Sequence, residues 1–436
     1  MKRIILAFAL TFVVTSPARA IDIQEVVSDG GLTAWLVEEN SIPFTALEIR
    51  FEGGGSLDRP GKRGAIHLLS GLFDEGAGDL DARAFAAARD DLAASYQFDA
   101  YRDAVTISAR FLTENRDEAV SLLRSAIQEP RFDQDAIDRV REQVLSNIRF
   151  EEVDSGAVAW NEFIALTFGD HPYGTNMAGT EESVLALSRD DLVAAHKDTL
   201  ALDRVFISAA GDISADELAE IIDTLLLGLP ATGAPLPGRA DVQLEGGITV
   251  VPFDTPQSVA RFAHAGLRID DPDFFAAFVA NEIFGGAGRQ SRLSDEVREK
   301  RGLTYGVGAH LATFDHAELV LGQLASANDR MAEAIEVIRA EWEKIASEGV
   351  TAKELAEAKT YLTGAYPLRF DSNASIARIL VGMQMDGRPI DYADTRNDRI
   401  NAVTLEDIQR VAKRLYRPED LRFVVVGQPV GLESVN

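Results

Sequence analysis

A chain of 436 residues that is 46% hydrophobic and 26% charged can bury a sizeable core, and its length fits two or more domains better than one. Its 70 acidic against 43 basic residues give a net charge of -27, which disfavours nucleic acid and anionic lipid as partners and suits cationic or neutral ligands, or simple solubility. The absence of cysteine excludes disulfide scaffolds, thiol catalysis and thiolate zinc sites.

In chain order, Lys2 and Arg3, the apolar run Ile4 to Val14 and the small-x-small segment ending at Ala20 predict a secretory signal peptide over residues 1–20. The mature chain from Ile21 then carries 40 basic and 70 acidic residues, a net charge of -30. The apolar run is too short to span a bilayer and no later stretch would do so, which predicts export without a membrane anchor. The expected destination is the periplasm in a Gram-negative source and secretion otherwise. Strand patterns follow at Thr33 to Val37 and Phe44 to Phe51, and a hairpin pattern at Gln97 to Tyr101 and Ala104 to Phe111, turning at Arg102-Asp103. An amphipathic helix opens near Asn115, and another capped by Ser188 leads to the apolar run Val205 to Gly211. Gly228 to Gly238 is rich in proline and glycine and reads as a linker. The second part repeats the order. Strand patterns at Gly247 to Val251 and Val259 to Ala265 come first, then a helix from about Ser291 ending near Gly302, which releases the chain into a strand at Tyr305, an amphipathic helix from Asp329, and a Thr404-capped helix leading to Leu421 to Gly427.

The repeat is internal homology. Ser188-Arg-Asp-Asp-Leu192 through Gly211 aligns with Thr404-Leu-Glu-Asp-Ile408 through Gly427 at a constant offset of 216 residues, with no gap. Each copy places a capping hydroxyl before acids in the first helical turn, then a β-branched strand ending at glycine. The expected organisation is therefore an N-terminal domain over 21–227, a linker over 228–243 and a homologous C-terminal domain over 244–436. Hairpin strands with helices segregated between them predict an α+β fold: two homologous sandwich domains, each a largely antiparallel sheet covered by helices.

Three stretches carry a more specific likeness: Gly53 to His67; His171-Pro-Tyr-Gly174 with Gly179-Thr-Glu-Glu182; and Phe284 to Leu293 running into Val297 to Tyr305. With the duplication, they resemble the pitrilysin/insulinase family of zinc peptidases, the inverzincins, over nearly the whole mature chain. The resemblance implies one half of a clamshell that closes with a second chain. The family motif H-x-x-E-H sets two histidines four apart on one helical face around zinc, with a glutamate beside the second to deprotonate the bound water. Here it falls on His67-Leu-Leu-Ser70-Gly71. Ser70 stands at the general base and Gly71 at the second histidine. The downstream glutamate ligand aligns with Asn147. Neutral serine and asparagine oxygens cannot replace a carboxylate base and an anionic ligand in a site that must acidify water.

His67 therefore reads as a packed histidine, and the six histidines include no i, i+4 pair. Asp74-Glu75 and Glu151-Glu152 read as solvated charges. By the same resemblance, Arg298 and Tyr305 match a family pair that hydrogen-bonds substrate carbonyls and holds charge on the scissile carbonyl; both are competent donors for that task. Gly285, Gly286 and Gly288 match a glycine-rich segment that touches substrate in the metal-free subunit of processing peptidases. No Gly-Lys-Ser/Thr follows them, so a phosphate cradle is not indicated. The implied function is the metal-free subunit of an exported heteromeric zinc endopeptidase acting on peptides or unfolded segments. This chain would bind no metal, and zinc would sit on a homologous partner bearing H-x-x-E-H. The other readings are a structural subunit, a chaperone-like peptide binder, and a self-sufficient peptidase with rebuilt ligands.

Overall fold

The computed structural model describes residues 21–286 and 291–435, so the expected signal peptide and Gly288 lie outside the described residues. Among the described residues thirteen strands form two main sheets and one small one. The first sheet contains β1 (Gln24–Val27), β2 (Thr33–Glu38), β3 (Phe44–Glu52), β6 (Ser95–Ala100), β7 (Ala104–Leu112) and β8 (Val205–Gly211) in the order β1-β2-β8-β3-β7-β6, while β4 (Gly76–Ala77) and β5 (Leu80–Asp81) pair with each other. The second contains β9 (Gly247–Pro252), β10 (Gln257–Ala265), β11 (Val307–Phe314), β12 (Ala317–Ala327) and β13 (Arg422–Gly427) in the order β11-β12-β10-β13-β9. Only β2–β8 and β9–β13 are parallel, so the α+β expectation of two largely antiparallel sheets covered by helices is the fold observed.

The sheets are copies of each other down to register. Leu36 faces Ala209 across the parallel pair of the first sheet and Val250 faces Val425 in the second; Ile49 faces Ile207 and Phe262 faces Phe423 across the adjoining antiparallel pairs. Residues 207 and 209 plus the 216 offset are 423 and 425. The helices leading into β8 and β13 begin with capping boxes, Ser188 with Asp191 and Thr404 with Asp407, and both caps have φ -103°, ψ 166°. A hydroxyl that accepts from the third backbone N–H while the acid accepts from the cap's own N–H satisfies two otherwise orphan donors, which is why these short segments start where they do. Both strands end on a glycine at positive φ, 137° at Gly211 and 149° at Gly427. The edge position held by β1 in the first sheet is touched in the second by Val435, bridged to Ile248.

One face of each sheet is covered by helices of its own half. Phe85, Leu123, Ile137, Leu192 and Ile222 pack on the first sheet, and Phe284, Trp342, Ile338 and Tyr416 on the second. The other faces are covered by exchange. The helix Ser155–Phe168 buries Phe163, Ile164 and Phe168 against Ala263, Leu321 and Val424 of the second sheet. The helix Asn373–Met385 buries Ile376, Ala377 and Leu380 against Trp35, Val37, Ala46 and Ala210 of the first. Ser208 Oγ donates to the Ala377 carbonyl at 2.6 Å and Gln384 Nε2 to the Ile207 carbonyl at 2.8 Å. Burial on both faces explains why β8 and β13 read as unbroken apolar runs instead of alternating patterns. No helix or strand lies between Leu226 and Gly247, the stretch that contains the expected linker.

Candidate functional site

The degenerate motif lies on the short helix Ala65–Ser70. Its start is fixed by Asp58, whose carboxylate accepts from the N–H of Gly64 at 2.8 Å and of Ile66 at 2.9 Å. Burial is the main influence on Asp58 and pushes its pKa up to about 6, against those N–H donors and Arg63 at 3.6 Å. Arg63 does more than balance this charge. Its Nε donates to the Asn176 carbonyl at 3.0 Å, and its Nη2 to the carbonyls of Pro172 at 2.9 Å and Thr175 at 3.0 Å; Nη1 reaches Gly55. Two of the three motif stretches, Gly53 to His67 and His171 to Gly174, are thus parts of one clamp. Sequence spacing alone does not reveal it.

Along the helix, Ser70 Oγ donates to the His67 carbonyl at 2.8 Å, so the hydroxyl is spent on its own backbone. Burial lowers the pKa of His67, opposed in part by the charge of Glu151, and its buried Nδ1 has no partner among the described residues. Gly71 is where the second histidine would stand. A Cβ placed there would meet Val140 Cγ1 at 2.8 Å, well inside contact distance. Val140 belongs to the helix Gln134–Glu152, which also carries Asn147. Asn147 is exposed, whereas Glu151, one turn on, is partly buried and accepts from Asn176 Nδ2 at 2.7 Å. Glu151 is therefore no solvated charge, and it is the acid whose field reaches His67. Among the described residues no three or more His, Asp or Glu side chains are grouped to hold a metal. With the space beside Gly71 filled, Ser70 engaged and Asn147 outside, the residues present do not fit a zinc ion.

The second half presents donors differently. The chain makes two α-helical residues and then a π-helical turn, Ser294–Glu299, in which Lys300 N donates to the Asp295 carbonyl. Such wide turns recur at functional positions. Arg298 sits in this turn, paired at 3.5 Å with Glu299. The sequence places Tyr305 at the start of a strand, but β11 begins at Val307. The reason is local: Gly306 N donates to Thr304 Oγ1 at 3.0 Å, and that hydroxyl donates to the Ala325 carbonyl at 2.6 Å, so the chain is still turning at Tyr305. Tyr305 is 88% exposed and adds nothing to the core. Arg298 and Tyr305 line one groove of about 510 Å³ with Gln257, Ser326 and Arg330. Gly285 is buried at the end of the helix Phe274–Gly285, where a Cβ would lie 2.7 Å from Ala309 N, so its smallness lets the helix close on β11. Gly286 follows as the cap, donating to the Glu282 carbonyl at 3.2 Å.

A family model described as insulinase (peptidase family M16) matches residues 35–181, and one described as peptidase M16 inactive domain matches residues 186–362. The chain belongs to peptidase family M16. The non-peptidase homolog YmxG of Helicobacter pylori is 25% identical over 98% of both chains. A probable mitochondrial-processing peptidase subunit beta of Schizosaccharomyces pombe is also 25% identical, over 93% of this chain and 91% of its own. A solved peptidase M16 inactive domain from Pseudomonas fluorescens superposes with a TM-score of 0.88 at 26% identity, covering 95% of this chain and all of that one. In this M16 chain the insulinase-type segment holds the degenerate motif and the inactive-domain segment holds Arg298 and Tyr305.

A buried junction joins the two halves. Tyr173, from the His-Pro-Tyr-Gly motif, is fully buried; its hydroxyl donates to Asp103 at 2.5 Å and accepts from His316 N at 3.1 Å. Arg102 lies over three rings, Trp160 at 5.3 Å, Tyr173 at 5.0 Å and Phe314 at 4.9 Å. A hairpin turn of the first sheet and the β11–β12 turn of the second are joined through one phenol. The sequence signals the turn at Arg102-Asp103 but not its partner 70 residues on.

Proposed function

We propose that this chain is the metal-free subunit of an exported heteromeric zinc endopeptidase. A homologous partner bearing H-x-x-E-H supplies zinc and general base; Arg298 and Tyr305 supply donors for the carbonyls of a peptide or unfolded substrate. The observation that carries this reading is the contrast between the two halves: the ligand position at Gly71 is packed shut by Val140, while Arg298 and Tyr305 stand open on one groove. The relatives support it, since one is named a non-peptidase homolog and another a processing-peptidase subunit. Export rests on residues 1–20 of the sequence, and no described helix is long and apolar enough to cross a membrane.

Reconstitution tests the proposal. The purified chain alone should be inert, and adding an H-x-x-E-H partner should produce peptide cleavage. Arg298→Ala or Tyr305→Phe should lower that activity about a hundredfold, the usual effect of removing a preorganised donor to developing charge. Unchanged activity in both variants would instead make this chain a structural subunit. Peptide hydrolysis by the partner-free chain would refute the assignment.

A further inference from the structure

A cavity of about 580 Å³ lies between β11, the helix Phe274–Gly285 and the segment from Tyr366 to Arg396, away from both the Arg298/Tyr305 groove and the His67 helix. Its volume is that of a small-molecule or side-chain pocket. Phe274, Phe278 and Glu282 line it from one face of their helix, at i, i+4 and i+8, and Ala309, His310, Leu311 and Thr313 from β11.

What distinguishes it is cationic charge in a chain of net charge -27. Arg369, Arg378, Arg388 and Arg396 all line the cavity. Arg396 is committed: it lies 4.2 Å over the Tyr366 ring and donates to the Leu362 carbonyl. Among the described residues the other three make no ion pair, and none of their guanidinium groups forms a hydrogen bond. Arg388 stacks on Phe274 at 5.2 Å and Tyr392 at 4.9 Å, which holds its fork in place while its buried Nε stays unpartnered. Against the four guanidiniums that line the cavity stand two carboxylates, Glu282 and Asp386. The surplus is two positive charges, which favours an anion, and the guanidinium forks of Arg378 and Arg388 match a planar carboxylate. Aromatic and aliphatic walls ask that the anion be carried on an apolar stem.

We infer that this cavity binds a peptide carboxylate, with Arg378 and Arg388 gripping the anion and Phe274 and Tyr392 flanking its stem. The peptide character of the ligand rests on the proposed function above. The strand β11, which begins two residues after Tyr305, runs from that groove along the cavity, so an extended peptide of about five or six residues bridges them. The carboxylate is either an internal acidic side chain or a free chain end.

The test is a titration of the isolated full chain, with no partner, using three six-residue peptides: blocked ends with one Glu, blocked ends with Gln instead, and the Gln peptide with a free C-terminal carboxylate. At least one charged peptide should bind about tenfold or more tighter than the neutral one, with an affinity that falls as salt rises. The Glu peptide binding tightest assigns an internal side chain, and the free acid binding tightest assigns a chain end. Arg388→Gln and the exposed Arg369→Gln/Arg378→Gln double variant should each remove that preference. Equal binding of all three peptides, or a preference that survives both variants, overturns the inference. Because no partner enters the titration, a failed reconstitution leaves this result standing, and the reverse holds too.

Discussion

Replacing Gly71 by alanine sets one methyl group where a second zinc-binding histidine would begin, 2.8 Å from Val140 Cγ1. Carbon atoms rest at about 3.5–4.0 Å, so one of the two must move. The backbone is not the obstacle, because Gly71 has φ -81° and ψ 6°, which alanine adopts freely; the loss of glycine's freedom in the unfolded chain would by itself stabilise by about 0.4–1 kcal/mol. Val140 cannot easily turn aside, since a β-branched residue inside a helix is held to one rotamer. Overpacking of this kind costs about 1–3 kcal/mol, leaving Gly71→Ala destabilising by about 1–2 kcal/mol. Val140→Ala alone should cost about 1–2 kcal/mol for two partly buried methyls. In the Val140→Ala background, however, Gly71→Ala should stabilise, giving a coupling of about 1–3 kcal/mol where independent sites add to within about 0.5 kcal/mol. Urea unfolding of the four proteins measures this directly. Additivity within about 0.5 kcal/mol would mean that Val140 does not occupy the ligand position, and the steric account of the lost metal site would fail.

Other expectations follow from the same structure. Tyr173→Phe removes one partner of the half-buried Asp103 carboxylate and leaves the buried His316 N–H without its acceptor, and should cost about 1–3 kcal/mol in urea unfolding; a neutral effect would show that the junction does not depend on that phenol. His264 is buried neutral, accepting from Trp342 Nε1 at 2.9 Å, with its pKa lowered to about 4 chiefly by burial. Its contribution is therefore complete above the unfolded value of about 6.5 and is lost as pH falls towards about 4, amounting to about 2 kcal/mol by pH 5. The fall in unfolding free energy between pH 7.5 and pH 5 should shrink by about that amount in His264→Gln, and an identical fall would refute the assignment. Zinc at about a hundred times the dissociation constant of a real site would add about 2.7 kcal/mol of stability, so micromolar zinc should leave the unfolding midpoint of the isolated chain unmoved. A shift of several degrees would reveal a site that the residues at 67, 70, 71 and 147 cannot explain.

The duplication was legible in the chain because its signals are local. A capping hydroxyl with an acid three residues later, an apolar period and a terminal glycine each act within a few residues, and they recur at Ser188 and Thr404 with the same backbone angles. The departure from H-x-x-E-H was legible for the same reason, since it concerns only which side chains stand at 67, 70, 71 and 147. Strand starts near Tyr305 were less so, because a hydroxyl bond from Thr304 to a carbonyl 21 residues away sets that turn. Only the tertiary structure decided what fills the empty positions and what joins the halves: Val140 against Gly71, Asn176 holding Glu151, Tyr173 bridging Asp103 and His316, each sheet borrowing a helix from the other half, and three free arginines around one cavity. These contacts lie tens to hundreds of residues apart, and they depend on burial and direction, which a one-dimensional pattern of residue types does not encode.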